Sequence, residues 1–268
     1  EVLYVPDANA DPETGLKPGW ENSVSEGTPR KGWWDAIEVE VFRNAEGDWV
    51  LIAMESNRVF AFEEAMHFLR LDEEFPNRVN SPVSEVGYWR GDKESHPYVW
   101  APMVIEHEGK FLMYYTAPWE AEPGDFRRSC FLATSETGKA HPEAWKQYDP
   151  NPETPAVEPL FVGTPGNGFR DFHITKVPSP QGPLFYNYYI ASAFKEELGV
   201  EVAEVRLRIS NDPYAFPYET ELPDPVFDKV NLGETLLNRL FVDYESPTVI
   251  RFDANNYFLF VSRHGVFP

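Results

Sequence analysis

Three acids and a tryptophan stand at the heads of strand-like runs in this 268-residue chain. The clearest run is Phe169-Arg170-Asp171-Phe172-His173-Ile174-Thr175-Lys176-Val177, which follows a Gly- and Pro-bearing loop from Gly163 to Gly168. A carboxylate at the start of an apolar, β-branched run suits a site better than a core, because a buried charge is costly unless it is paired. Asp35, Trp100 and Glu245 head comparable runs. Carboxylates gathered at one rim raise each other's pKa, so one holds a proton as general acid while another stays ionised as base or nucleophile. That division of labour is what glycoside hydrolysis requires, and a third carboxylate would stabilise positive charge on the sugar ring. Trp100, with Trp33 or Trp34 nearby, offers a flat face to the C–H surface of a sugar. Arg170 and His173 are placed to hydrogen-bond hydroxyls, and His264 falls near the same rim. Each residue also has a bland reading: Asp35 as a turn or cap residue, Asp171 as a local ion pair with Arg170, Glu245 as a solvated strand end, Trp100 as core. It is their shared position in a repeat that singles them out.

The repeat is one of strand, turn and strand. Trp33 to Phe42, a turn at Asn44-Ala45-Glu46-Gly47-Asp48, and Trp49 to Met54 read as a hairpin. Val99 to Ile105 and Lys110 to Thr116 flank a turn at Glu108-Gly109; Asp171 to Val177 and Leu184 to Ala191 flank Ser179 to Pro183; Tyr244 to Phe252 and Tyr257 to Ser262 flank Asp253 to Asn256. Weaker strands are expected at Val2 to Val5, Val59 to Phe62, Met66 to Leu71, Ser129 to Ser135, Trp145 to Tyr148 and Val202 to Ile209. Four units at a spacing of about 65–75 residues signal blades rather than a sandwich. The fold class expected is therefore all-β, a propeller with four-stranded blades. Laying the first strands on one another puts Asp35, Trp100, Asp171 and Glu245 at one equivalent position, and the first strand of each blade lines the central channel.

Composition narrows the function classes. A net charge of -21 repels phosphate backbones and anionic membrane surfaces, so neither nucleic acid nor membrane is an expected partner. No apolar run approaches the roughly 18 residues of a membrane span. The single cysteine, Cys130, excludes an intramolecular disulfide and a Cys-based zinc site, and it reads as a buried, inert thiol. The six histidines show no HExxH or other metal spacing, and no GxSxG elbow, P-loop or GxGxxG occurs, so no metal or cofactor is expected.

Two glycosidase families share parts of this pattern. Trp100-Ala101-Pro102, with Gly109-Lys110-Phe111-Leu112-Met113-Tyr114-Tyr115, resembles the second blade of glycoside hydrolase family 43. Phe169-Arg170-Asp171 resembles the Arg-Asp-Pro motif of family 32, and Tyr244-Glu245-Ser246-Pro247 is similar to the Glu-Cys-Pro motif of family 32 and the Glu-Gly-Pro motif of family 43. Both families are five-bladed propellers with three acids in a central pocket. The resemblance implies Asp35 as first-blade acid (nucleophile in family 32, general base in family 43), Asp171 as the acid that stabilises the transition state or tunes its partner, and Glu245 as general acid. Asp35 is followed by Ala36 and Asp171 by Phe172, where the families usually have Pro. The chain also ends inside its fourth unit, so residues 33–268 are expected to form the propeller with the fifth blade missing from this sequence or replaced, and residues 1–32 an extension or closing segment.

The function these features imply is cleavage of a furanoside- or pentose-containing glycan of arabinan, xylan or fructan type. A propeller phosphorylase or transglycosylase, or a non-catalytic carbohydrate binder, would use the same pocket. Retention is expected if Asp35 and Glu245 stand about 5–5.5 Å apart and inversion at about 6.5–9.5 Å. A secreted or periplasmic location is expected by analogy with polysaccharide-cleaving propellers, with the cytoplasm as the alternative; oligomeric state is left open.

Overall fold

The computed structural model describes residues 34–57, 64–70, 84–89, 99–154, 156–163, 168–195, 200–216, 242–253 and 256–265. Apart from one 3-10 turn at Pro142–Ala144, the regular structure among them is strand. Four antiparallel strands, β1 (Trp34–Arg43), β2 (Trp49–Asn57), β3 (Glu64–Arg70) and β4 (Ser84–Trp89), form one sheet in chain order. A second sheet runs β5 (Trp100–His107), β6 (Lys110–Glu122), β7 (Asp125–Ser135) and β8 (Lys146–Gln147), also in chain order. The third has β9 (Phe169–Val177), β10 (Leu184–Lys195) and β11 (Val200–Ser210), and the fourth pairs β12 (Val242–Arg251) with β13 (Tyr257–Gly265). All four expected hairpins are present. Ser84–Trp89 was not foreseen as a strand, and the strands expected at Val2 to Val5 and Val59 to Phe62 lie outside the described residues.

Local chemistry accounts for the turns. The Oδ1 of Asn44 accepts the backbone N–H of Glu46 (3.0 Å) and of Asp48 (2.9 Å), which closes the β1–β2 loop around Gly47 at φ 86°. That is the side-chain mimicry of a turn for which Asn is suited.

The chain forms two compact units, residues 1–112 with 133–147, and residues 113–132 with 148–268. In the first unit Phe42 packs on Phe111 (centroids 5.8 Å) and edge-on to Trp145 (6.2 Å). Gly138 stands against Phe111 so closely that a Cβ would lie 2.8 Å from the ring, at φ +64°, which leaves room for glycine alone. In the second unit Phe161 is the hub of an aromatic cluster, with Phe169, Phe172, Tyr189 and Phe216 at 6.0, 5.2, 5.9 and 6.1 Å. Cys130 is fully buried in this unit, and burial pushes its thiol pKa up, as expected for an inert core cysteine.

Candidate active site

The second unit brings Asp171, Glu245 and Arg170 together. Arg170 Nη2 donates to Glu245 Oε1 at 3.1 Å, and Arg170 Nε lies 3.9 Å from Asp171 Oδ2. The same Asp171 oxygen accepts the backbone N–H of Ser246 at 2.9 Å. Two residues further along β9, His173 Nε2–H donates to the carbonyl of Val249 at 3.2 Å. Three side chains of β9 therefore reach β12, a strand of another sheet. The Nε2 of His173, a residue expected near the sugar, ties these strands together. Burial holds its pKa below the ordinary histidine value.

A β-bulge makes the cluster possible. Between β9 and β10, Arg170 pairs with Ile190 and His173 with Tyr188, so one residue of β9 is extra. Between β12 and β13, Glu245 pairs with Ser262 and Thr248 with Phe260, which again leaves one extra. Asp171 and Ser246 sit in the left-handed region at φ 55° and 50°, and so does Ala101 at φ 51°. These bulges align Arg170 with Glu245 and Asp171 with Ser246. The expected equivalence of Asp171 with Glu245 is thus displaced by one residue, and Trp100, preceding Ala101, matches Arg170 and Glu245. In a regular strand Arg170 and Asp171 would point to opposite faces. The bulge breaks that alternation and lets both address one place. A non-glycine residue in this conformation costs on the order of 1–3 kcal/mol, which the surrounding contacts must offset.

Those contacts lie on both sides of Asp171. Phe169 and Phe172 are buried in the aromatic cluster, so the phenylalanine that follows Asp171 anchors the bulge through packing. Asp171 itself is 8% exposed and Glu245 36% exposed. Burial raises the Asp171 pKa; the Ser246 N–H, Arg170 and Arg128 work against that rise, while the Glu245 carboxylate adds to it. One acid of the pair is sealed and the other reaches solvent.

The first unit holds a related arrangement. The carboxylate of Glu38 accepts the N–H of Ala101 at 2.6 Å, joining β1 to β5. Glu40, two residues on, takes a hydrogen bond from the Val104 backbone, and burial pushes its pKa up to about 8. Neither glutamate was singled out from the sequence, although their i, i+2 spacing puts both on one face of β1. Trp100 is partly buried at the head of β5. The backbone places Trp34 and Asp35 at the start of β1 and His264 near the end of β13; their side chains lie outside the described residues. Among the described residues no group of three or more His, Cys, Asp or Glu is arranged to hold a metal ion.

Several solved structures share this arrangement of strands. A levansucrase variant from B. megaterium superposes with TM-score 0.57 at 11% identity, over 85% of this chain and 62% of that one. The fold is a β-propeller. Other propellers like it are sucrose-6-phosphate hydrolase from Lactobacillus gasseri (TM-score 0.56, 14% identity, 84% of this chain, 40% of that one) and a GH32 beta-fructofuranosidase from Bombyx mori (0.56, 14%, 88% and 43%). The propeller chain described here thus spans less than two thirds of the length of each of these three. No protein-family model matches the chain, and no curated protein matches it by sequence. At such identities the likeness is one of fold; what the propeller does must be argued from its residues.

Proposed function

We propose that this propeller is a glycoside hydrolase acting on a furanoside- or pentose-containing glycan of arabinan, xylan or fructan type. The observation that carries the reading is the Arg170 guanidinium standing between Asp171 and Glu245, with the backbone N–H of Ser246 on Asp171. A structural ion pair needs one carboxylate. Here two acids from separate strands meet one arginine, one buried and one open to solvent.

In this reading Glu245, the accessible acid, protonates the glycosidic oxygen as the bond to the sugar breaks. Asp171 is held rigidly by Ser246 and Arg170, and faces positive charge as it develops on the ring. Fixed charge of this kind needs no reorganisation during reaction. Asp35 supplies the third carboxylate, as nucleophile or as the base that activates water; its support is its place at the head of β1 and the family resemblance. Enzymes of the same fold named for action on sucrose derivatives and fructofuranosides favour a furanoside over a pyranoside.

The test is release of aryl alcohol or reducing sugar from aryl furanosides, arabinan, xylan and fructan by the wild type and by Glu245→Gln. Turnover by the wild type, lost in the variant while glycan binding persists, supports the assignment. A wild type that binds these glycans yet cleaves none of them would make the protein a carbohydrate binder. Turnover only when inorganic phosphate is added would make it a phosphorylase.

A further inference from the structure

The β6–β7 hairpin carries a feature that the carboxylate chemistry does not use. Its turn is Pro123-Gly124, with Gly124 at φ 83° and its N–H on Glu120 Oε1 at 2.8 Å. From the turn into β7 the exposure alternates, with Asp125 and Arg127 partly buried and Phe126 and Arg128 exposed. Phe126 is 68% exposed. Alternation along a strand puts Phe126 and Arg128 on one face, about 7 Å apart along the chain direction.

That face is anchored beside the candidate site. Arg127 Nη1 donates to the Gly163 carbonyl at 3.2 Å, and Cys130 exchanges backbone hydrogen bonds with Leu160 and Phe161 at 2.8 and 3.1 Å. The stem of Arg128 lies against Gly168, where an added Cβ would stand 3.0 Å from Arg128 Cβ. Gly168 leads directly into Phe169-Arg170-Asp171. The charge of Arg128 is felt at Asp171, whose ionised form it favours. A single exposed phenylalanine needs no explanation in general. This one is fixed on a hairpin whose stem is bonded to the loop before Asp171, and it shares a face with an arginine that stands by that acid.

We propose that Phe126 and Arg128 form a distal sugar-binding subsite, which makes the protein prefer glycan chains of several units over a single glycoside. Phe126 presents its ring to the C–H face of a sugar beyond the cleavage point, and Arg128 donates to hydroxyls between that sugar and Asp171. The inference rests on the glycosidase reading of Asp171 and Glu245, and it deepens that reading by assigning chain-length preference to one hairpin.

The test is calorimetric titration, in a Glu245→Gln background that stops cleavage during the titration, of protein with the wild-type Phe126, with Phe126→Ala and with Phe126→Trp, using arabino-, xylo- and fructo-oligosaccharides from mono- to hexasaccharide. Affinity with Phe126 in place is expected to climb with length for one of these series. Phe126→Ala should flatten the climb, with a loss of about tenfold for the longest chains, the scale of one buried aromatic face. Phe126→Trp should restore it. Affinity that does not rise with length when Phe126 is in place, or that Phe126→Ala lowers equally for mono- and hexasaccharide, overturns the proposal, as does protein with Phe126 in place that binds none of the series. The glycosidase reading fails separately, if the wild type cleaves nothing or Glu245→Gln cleaves as fast as wild type.

Discussion

The joins β1–β5 and β9–β12 use one device with different consequences. In each, a carboxylate on the earlier strand accepts the N–H of a left-handed residue on the later one: Glu38 with Ala101 at 2.6 Å, and Asp171 with Ser246 at 2.9 Å. A side-chain acceptor there satisfies a backbone donor that the left-handed turn of the chain aims away from a regular ladder. The joins part company in what surrounds the acceptor. Glu38 lies three residues beyond Asp35 on β1, and the next acid on its face, Glu40, is half-buried, with loss of water raising its pKa to about 8. Asp171 occupies the bulge itself, beside Arg170, and Arg170 goes on to hold Glu245. An acid accepting a backbone N–H is therefore a structural device of this fold, and by itself no evidence of catalysis. What marks the second join is the arginine shared by two acids and the solvent access of one of them.

Mutations separate the joins most sharply through turnover. Glu245→Gln should lower kcat by about 10²–10⁴-fold, the range for loss of a general acid, with little change in melting temperature. A comparable loss from Glu38→Gln would erase the distinction between the joins. Asp171→Asn keeps an acceptor for the Ser246 N–H but removes the charge, so it should fold and still lose about 10²-fold or more in kcat. Calorimetry on the purified variant checks the first half of that statement and kinetics the second.

Stability effects follow, and they are smaller. Glu38→Ala leaves the Ala101 N–H without its acceptor and should cost about 1–3 kcal/mol in denaturant unfolding. Turnover should stay within a few-fold of wild type, and a larger fall would move Glu38 into the catalytic machinery. Glu40 gives the smallest and most pH-specific effect. Its folded pKa of about 8 lies above the ordinary 4.5, so its contribution to stability is fully present below pH 4.5 and is lost as pH rises through 8. Glu40→Gln should therefore match the wild type near pH 4 and exceed it by about 1–3 kcal/mol at pH 9. Parallel melting curves across that range would expose a different sign.

Much of the fold is written in residue order. β-branched and aromatic runs broken by Asn-, Gly- and Pro-rich turns mark the four hairpins, because strands and tight turns are decided by neighbours a few residues apart. The same local signal places Asp171 and Glu245 at strand heads and Cys130 in a core. Sequence also shows that Phe172 stands where related motifs carry proline, but not what it does there. Its packing on Phe161, eleven residues earlier in the chain, is a tertiary contact. Glu38 and Glu40 were passed over for a similar reason. Their spacing on a strand reads as a polar face, and only the approach of β5 gives its acids backbone partners and partly covers them.

The register of the acids is the clearest case of what residue order leaves open. From sequence alone Asp171 and Glu245 occupy one repeat position. In the structure each follows its own strand into a bulge, and Asp171 sits one residue later. A bulge has no reliable signature here, since Asp171, Ser246 and Ala101 are three different residue types in the same left-handed conformation. What selects that conformation is a backbone N–H meeting a carboxylate more than sixty residues away, or rings meeting in a core. Residue types along the chain thus decide that acids stand at the mouths of repeated strands. Contacts between strands distant in sequence decide which acids meet, which one is sealed from water, and which arginine lies between them.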